Sequence, residues 1–208
     1  MGELSRDDID RLVFFEQAQE AAEREYAKNN NDIMAIIRWG GALLELAHFR
    51  QGEEAYDMIE QASEKFKQAL RIDPKKHDAL WCLGNAYTSK GFLSTDESVA
   101  HKCFADAADC FQKALKEDPK SEVYQKALEM TSKAPALYAE LQRQLRASQE
   151  GTLASGGPLG GGGGGARPKA SNEGWYDLAG WGIMVVAVIG ILALARNSQP
   201  VAAGAALK

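Results

Sequence analysis

The chain has 208 residues, room for one modest domain plus attachments. It is 45% hydrophobic and 25% charged, which places it outside the globally disordered and collagenous classes. Its net charge of −5 argues against a nucleic-acid binder, since that function needs a basic face to displace counterions from phosphates. Three cysteines cannot build a disulfide framework, so a reducing compartment is expected.

The charge is unevenly spread. Residues 1–150 hold 20 Lys+Arg against 27 Asp+Glu, and residues 1–32 alone carry a net −5. Residues 151–208 hold only Arg167, Lys169, Glu173, Asp177, Arg196 and Lys208. The first segment, MGELSRDDID, is too polar and acidic for a signal peptide. Apolar residues at 9, 12, 13, 15, 18, 22 and 26 then follow a helical period, with Ser5 to Asp8 spaced as a capping box.

A repeat comes next. KFKQALRIDP (65–74) returns as CFQKALKEDP (110–119), and IIRWGGAL (36–43) returns as LWCLGNAY (80–87). Ile36, Trp39, Gly40, Leu43, Ala62, Phe66, Ala69 and Pro74 align with Leu80, Leu83, Gly84, Tyr87, Ala107, Phe111, Ala114 and Pro119. This spacing resembles the tetratricopeptide pattern of two antiparallel helices. Gly and Ala let the helices approach, Phe and Tyr fill the space around them, and Pro stops the second helix by lacking the N–H it needs. Each copy is about ten residues longer than the usual unit. The extra residues, around 51–58 and 91–103, predict longer helices and longer turns. Residues 121–146 form another amphipathic segment, in which Pro135 predicts a break into two helices. The expected head, residues 1–150, is therefore all-α, with about seven helices: two elongated tetratricopeptide repeats and capping helices.

Beyond the head, GGPLGGGGGG (156–165) cannot bury enough apolar surface to offset its ordering entropy. Residues 151–174 read as a flexible linker with a reach of roughly 25–30 Å. The run LAGWGIMVVAVIGILALA (178–195) is free of charge. As a helix it spans about 27 Å, close to the hydrocarbon core of a bilayer. Trp175, Tyr176 and Trp181 cluster at one end and Arg196 closes the other. We expect a C-terminal transmembrane helix over 175–196, a short tail over 197–208 on the far side, and the head in the cytosol. The short, Gly- and Ala-rich run suits the mitochondrial outer membrane or the peroxisome better than a thick plasma membrane.

No catalytic constellation is legible. Cys103 and Cys110 stand seven residues apart on one expected helix, no Cys or His pair has zinc spacing, and the glycine run lacks the Lys-Ser/Thr of a phosphate loop. No enzyme activity, cofactor or metal is expected. What remains is surface. In tetratricopeptide repeats the first helix of each unit lines an inner groove. Here the groove positions include Met34, Ile37, Leu44 and Glu45 in the first copy and Trp81, Asn85 and Thr88 in the second. These seven are the candidate peptide-binding residues, with Trp81 as the expected anchor. The alternative is that Trp81 and Leu44 contact the flanking helices and are core. The Lys and Asn clamp of chaperone-binding repeats is absent, its positions reading Ile37, Gly41 and Cys82.

Several stretches carry a further resemblance: FEQ (15–17), RWGGALLEL (38–46), IDPKK (72–76), WCLGNAYTS (81–89), FLSTDE (92–97), LEMTSKAP (128–135) and YDLAGW (176–181). With them the chain resembles the plant-type small presequence receptor of the translocase of the outer mitochondrial membrane. The resemblance implies a receptor that binds N-terminal targeting sequences of precursors and works with the other translocase subunits at that membrane. The residues supply a compatible mechanism. A targeting sequence is an Arg-rich amphipathic helix, so its apolar face needs an apolar groove and its arginines are drawn to an acidic head. Two other classes stay open: a tail-anchored adaptor that binds a folded partner at the mitochondrial or peroxisomal surface, and an assembly subunit whose groove a neighbour fills.

The tail makes the first test. Residues 175–208 fused to a passenger are expected to carry it to the mitochondrial outer membrane, with the passenger open to external protease on intact organelles. A passenger that stays soluble, or is protected, contradicts the anchor.

Overall fold

A computed structural model describes residues 6–154 of the chain, with side chains described to residue 147. Six helices follow one another: α1 (Arg6–Lys28), α2 (Ile33–Ala47), α3 (Gly52–Ile72), α4 (His77–Leu93), α5 (Glu97–Glu117) and α6 (Glu122–Ala154). Among the described residues there is no strand, so the head is all-α. Ser5 and the linker and tail from 155 onward lie outside the described residues, and with them the expected capping box and membrane anchor. No helix among the described residues is long and apolar enough to cross a membrane.

Local chemistry sets the helix starts and stops. Asp32 begins α2 by accepting from the Met34 and Ala35 N–H groups at 2.9 and 3.0 Å. Asp96 begins α5 in the same way, from Ser98 and Val99 at 2.8 and 3.2 Å. These N–H bonds hold the Asp96 carboxyl below its ordinary range. The backbone of α3 enters through Gly52 at φ +59°, a conformation that side chains resist. Pro74 and Pro119 each follow a helix end by two residues, as the sequence predicts.

Each helix packs on its chain neighbours. In addition α2 meets α4 and α4 meets α6, a closer approach than any among α1, α3 and α5. The stack thus has an inner row (α2, α4, α6) and a more widely spaced outer row (α1, α3, α5). The two sequence copies are the hairpins α2–α3 and α4–α5. Their cores hold Ile36 and Phe66 in the first and Phe104 and Phe111 in the second, all buried. A Cβ built on Gly40 would lie 2.7 Å from the Phe66 ring, and one on Gly84 2.5 Å from the Phe111 ring. Glycine is there because an aromatic ring occupies the place of a side chain.

Three expectations need correction. The extra residues of each copy lengthen helices, not turns: the connections are only residues 48–51 and 94–96. Six helices stand where about seven were expected, because α6 runs straight through Pro135. That proline removes the N–H which would bond the Thr131 carbonyl. Packing on both sides carries the helix across the gap: Tyr124 and Ala134 before it, Tyr138 after it, with the Tyr138 hydroxyl donating to the Ser94 carbonyl at 3.0 Å. In α1, finally, Ile9 and Val13 are about half exposed although they share the helical period.

The glycine contacts yield a stability test. Gly84→Ala is expected to destabilise the head by about 1–3 kcal/mol, as over-packing does, despite the better helix propensity of Ala. Thermal unfolding checks this, and Phe111→Leu in the same chain should recover part of the loss. A Gly84→Ala chain as stable as the parent contradicts the contact.

Candidate peptide-binding site

The seven candidate residues all lie on the inner row, four on α2 and three on α4, but they differ in access. Met34 is exposed, at 36%. Asn85 and Thr88 are half-buried, and the Thr88 hydroxyl donates back to the Gly84 carbonyl at 2.9 Å. Ile37, Leu44 and Trp81 are buried at 3, 6 and 3%. Glu45 is buried at 1% and is held by Arg11 of α1.

Trp81 packs beside α6. Its ring lies 6.3 Å from that of Tyr124, and the Tyr124 hydroxyl meets His77 Nδ1 at 2.8 Å and Asp78 at 3.5 Å. Lys76 closes the cluster with an ion pair to Asp78 at 2.9 Å. The start of α6 is thereby fixed against the start of α4, beside the tryptophan. The indole Nε1 of Trp81 is buried and has no hydrogen-bond partner among the described residues.

On the other flank, α1 runs antiparallel to α2. Arg11 reaches Glu45 at 3.3 Å, Glu25 pairs with Arg38, and Tyr26 lies edge-on to Trp39 at 5.3 Å. Lys65 of α3 places its ammonium 3.2 Å from the Trp39 ring centre. Arg11 also lies over the Phe49 ring, at 5.7 Å. Desolvation pushes Glu45 up to about 7, although the charge and hydrogen bond of Arg11 pull the other way. His48, within 3.9 Å of Glu45, is shifted downward by burial and by the Arg11 charge.

The sequence reading had no signal for Arg11 or Tyr124, because each acts across an interface between helices far apart in the chain. Apart from Met34, the exposed large apolar side chains are not among the seven. Ile9, Val13 and Phe14, at 48, 45 and 51%, stand on the outer face of α1 among Asp7, Asp10, Glu16 and Glu20.

Cys82, Cys103 and Cys110 are buried, and burial raises all three thiols, Cys110 to about 12, so they stay protonated. No group of three or more His, Cys, Asp or Glu among the described residues is placed to hold a metal ion.

Comparison with known proteins covers most of the chain. The family model described as plant-specific mitochondrial import receptor subunit TOM20 matches residues 9–196. The chain is 42% identical to the mitochondrial import receptor subunit TOM20-3 of Arabidopsis thaliana over 195 residues, 93% of this chain and 96% of that protein. Identity to subunit TOM20-4 of the same plant is 41% over 192 residues, 92% of this chain and 95% of the relative. Subunit TOM20-1 is 37% identical over 191 residues, 90% of this chain and 99% of the relative.

Glu45 gives a pH test. Folded, it keeps its proton up to about pH 7, whereas the unfolded chain releases it in the ordinary carboxylate range. The folded state therefore binds more protons between those values, and the contribution of Glu45 to stability is full at low pH and lost as pH rises through about 7. His48, shifted down, works in the opposite sense, so the difference between wild type and Glu45→Gln isolates the carboxyl. Relative to Glu45→Gln, wild type is expected to lose about 3 kcal/mol of unfolding free energy between pH 4.5 and 8. Parallel denaturation profiles for the two proteins contradict the assignment.

Proposed function

Since the chain belongs to the plant-specific TOM20 family of mitochondrial import receptor subunits, we propose that it binds N-terminal presequences of precursors made in the cytosol. It passes them to the translocation pore of the mitochondrial outer membrane, acting with other translocase subunits. The observation that carries this reading is the single family match over residues 9–196, which takes in the helical head and the apolar run of the tail together.

In this reading the helix pairs are two elongated tetratricopeptide repeats, and residues 175–196 anchor the chain as a single span with the head facing the cytosol. The inner row receives the peptide. Met34, Asn85 and Thr88 are open to it in the free chain. Ile37, Leu44 and Trp81 form the apolar floor beneath, and Trp81 meets a ligand only when Tyr124 gives way. Glu45 reaches the peptide only in exchange for Arg11.

Charge and contact divide the work. The head holds 20 Lys+Arg against 27 Asp+Glu, a field that draws an Arg-rich helix and raises the rate of encounter. Apolar burial then governs how long the peptide stays. Affinity is modest by design, because a receptor must accept many sequences and release each.

The test is titration of the full chain with an Arg-rich amphipathic peptide at increasing salt. From 0.01 to 0.15 M the Debye length falls from about 30 to about 8 Å. Association is expected to slow several-fold while part of the affinity survives. No binding at low salt overturns the function, and a salt-independent association rate removes the steering role of the acidic head.

A further inference from the structure

Gly41 has no structural reason to be glycine. Gly40, Gly84 and Gly91 each have a phenylalanine ring where a side chain would stand, Gly91 meeting Phe104 at 2.6 Å. A Cβ on Gly41 meets nothing within 4 Å. Its backbone is that of an ordinary helix, since among the described residues only Gly52 has a positive φ. Glycine in mid-helix is less favourable than alanine, and here no contact within the protein offsets that cost.

The position lies on the open side of α2. Trp39, two residues earlier and so about 200° around the helix, faces α1 and α3 through Tyr26 and Lys65. Gly41 therefore faces away from the outer row. Seven residues before it is Met34, the exposed apolar residue of this helix, and seven after it is His48, also exposed. On the helix surface its neighbours are Ile37, Arg38, Leu44 and Glu45, the four residues that frame a hole for a knob from a facing helix. Two of the four are apolar. The other two are already engaged by α1, Arg38 with Glu25 and Glu45 with Arg11.

We propose that Gly41 is a specificity-determining residue of the peptide groove: the missing side chain opens a notch that seats one apolar side chain of a bound amphipathic helix. The inference rests on the presequence-receptor reading and names the point of closest approach within it. The occupant follows from the frame. Small residues let helix backbones come close, a hole bounded by Ile37 and Leu44 takes an apolar knob, and the net negative head favours a ligand whose other face is basic.

The experiment compares the full chain in detergent micelles as wild type, Gly41→Ala and Gly41→Leu. Thermal unfolding is followed by circular dichroism. Binding is followed by fluorescence anisotropy of a labelled 20-residue peptide of Leu, Ala, Ser and Arg. Both variants are expected to unfold at the wild-type temperature or above, because the space is open and the helix gains propensity. The dissociation constant should rise at least tenfold in Gly41→Leu and by less in Gly41→Ala. Wild-type affinity in a stably folded Gly41→Leu chain overturns the notch and leaves the receptor reading intact. A lower unfolding temperature in both variants shows that another segment of this chain already fills the notch, and also overturns it. If wild type itself fails to bind the peptide at low salt, the receptor reading falls and the notch falls with it.

Discussion

The structure depends on one repeated contact, a phenylalanine ring laid against a glycine of the neighbouring helix. In the hairpin α4–α5 it occurs twice. Gly84 meets Phe111 and Gly91 meets Phe104, each pair seven residues from the other in opposite chain directions, as antiparallel helices require. In α2–α3 the contact of Gly40 with Phe66 plays the same part. A ring in place of a side chain fixes both the separation of two helices and their register. A slip by one residue along the helix would drive a ring into backbone. This lock keeps the longer helices of each unit aligned to their ends, and Gly91–Phe104 lies in the region by which the second copy exceeds the usual length.

Polar groups hold the ends of the stack. At one flank Arg11 and Tyr26 tie α1 to α2 and α3, with the Tyr26 hydroxyl taking a hydrogen bond from Gln68 at 3.0 Å. At the other, Tyr124 and Tyr138 tie α6 to the beginning and end of α4. Between these ties the inner row keeps a mixed surface in which apolar side chains lie just below half-buried polar ones. That arrangement suits a ligand recognised by pattern and not by a single side chain, because apolar contact tolerates variation while the surrounding charge selects sign.

Much of this was legible in the sequence because the determinants are local or periodic. Gly40, Phe66, Gly84 and Phe111 announced both hairpins, and Pro74 and Pro119 marked the helix ends. What misled were residues whose meaning depends on distant partners. Pro135 reads as a breaker by local chemistry, yet Tyr124, Ala134 and Tyr138 hold the helix on both sides of it. Ile9 and Val13 keep the period of a buried face but point outward, while Leu12, Phe15 and Ala22 turn inward to varying depth. In the candidate site, register along α2 and α4 was readable and depth was not. Trp81 is buried, and Tyr124, more than forty positions later in the chain, stands beside its ring. Glu45 reads as a groove carboxylate, and only the fold reveals Arg11 opposite it.

The zigzag order of the stack bears on how the head comes apart. Interior helices are gripped from two sides, whereas α1 is gripped chiefly by α2. In a nearly one-dimensional stack, stability is a sum over neighbouring interfaces, and an end element can open while the rest stays folded. For α1 the outermost grip is the pair of Arg11 with Glu45, a carboxyl that sits near the midpoint of its titration at neutral pH. An end helix such as α1 can therefore open while the rest of the stack stays closed, and its outermost hold on α2 runs through a single buried side chain that titrates.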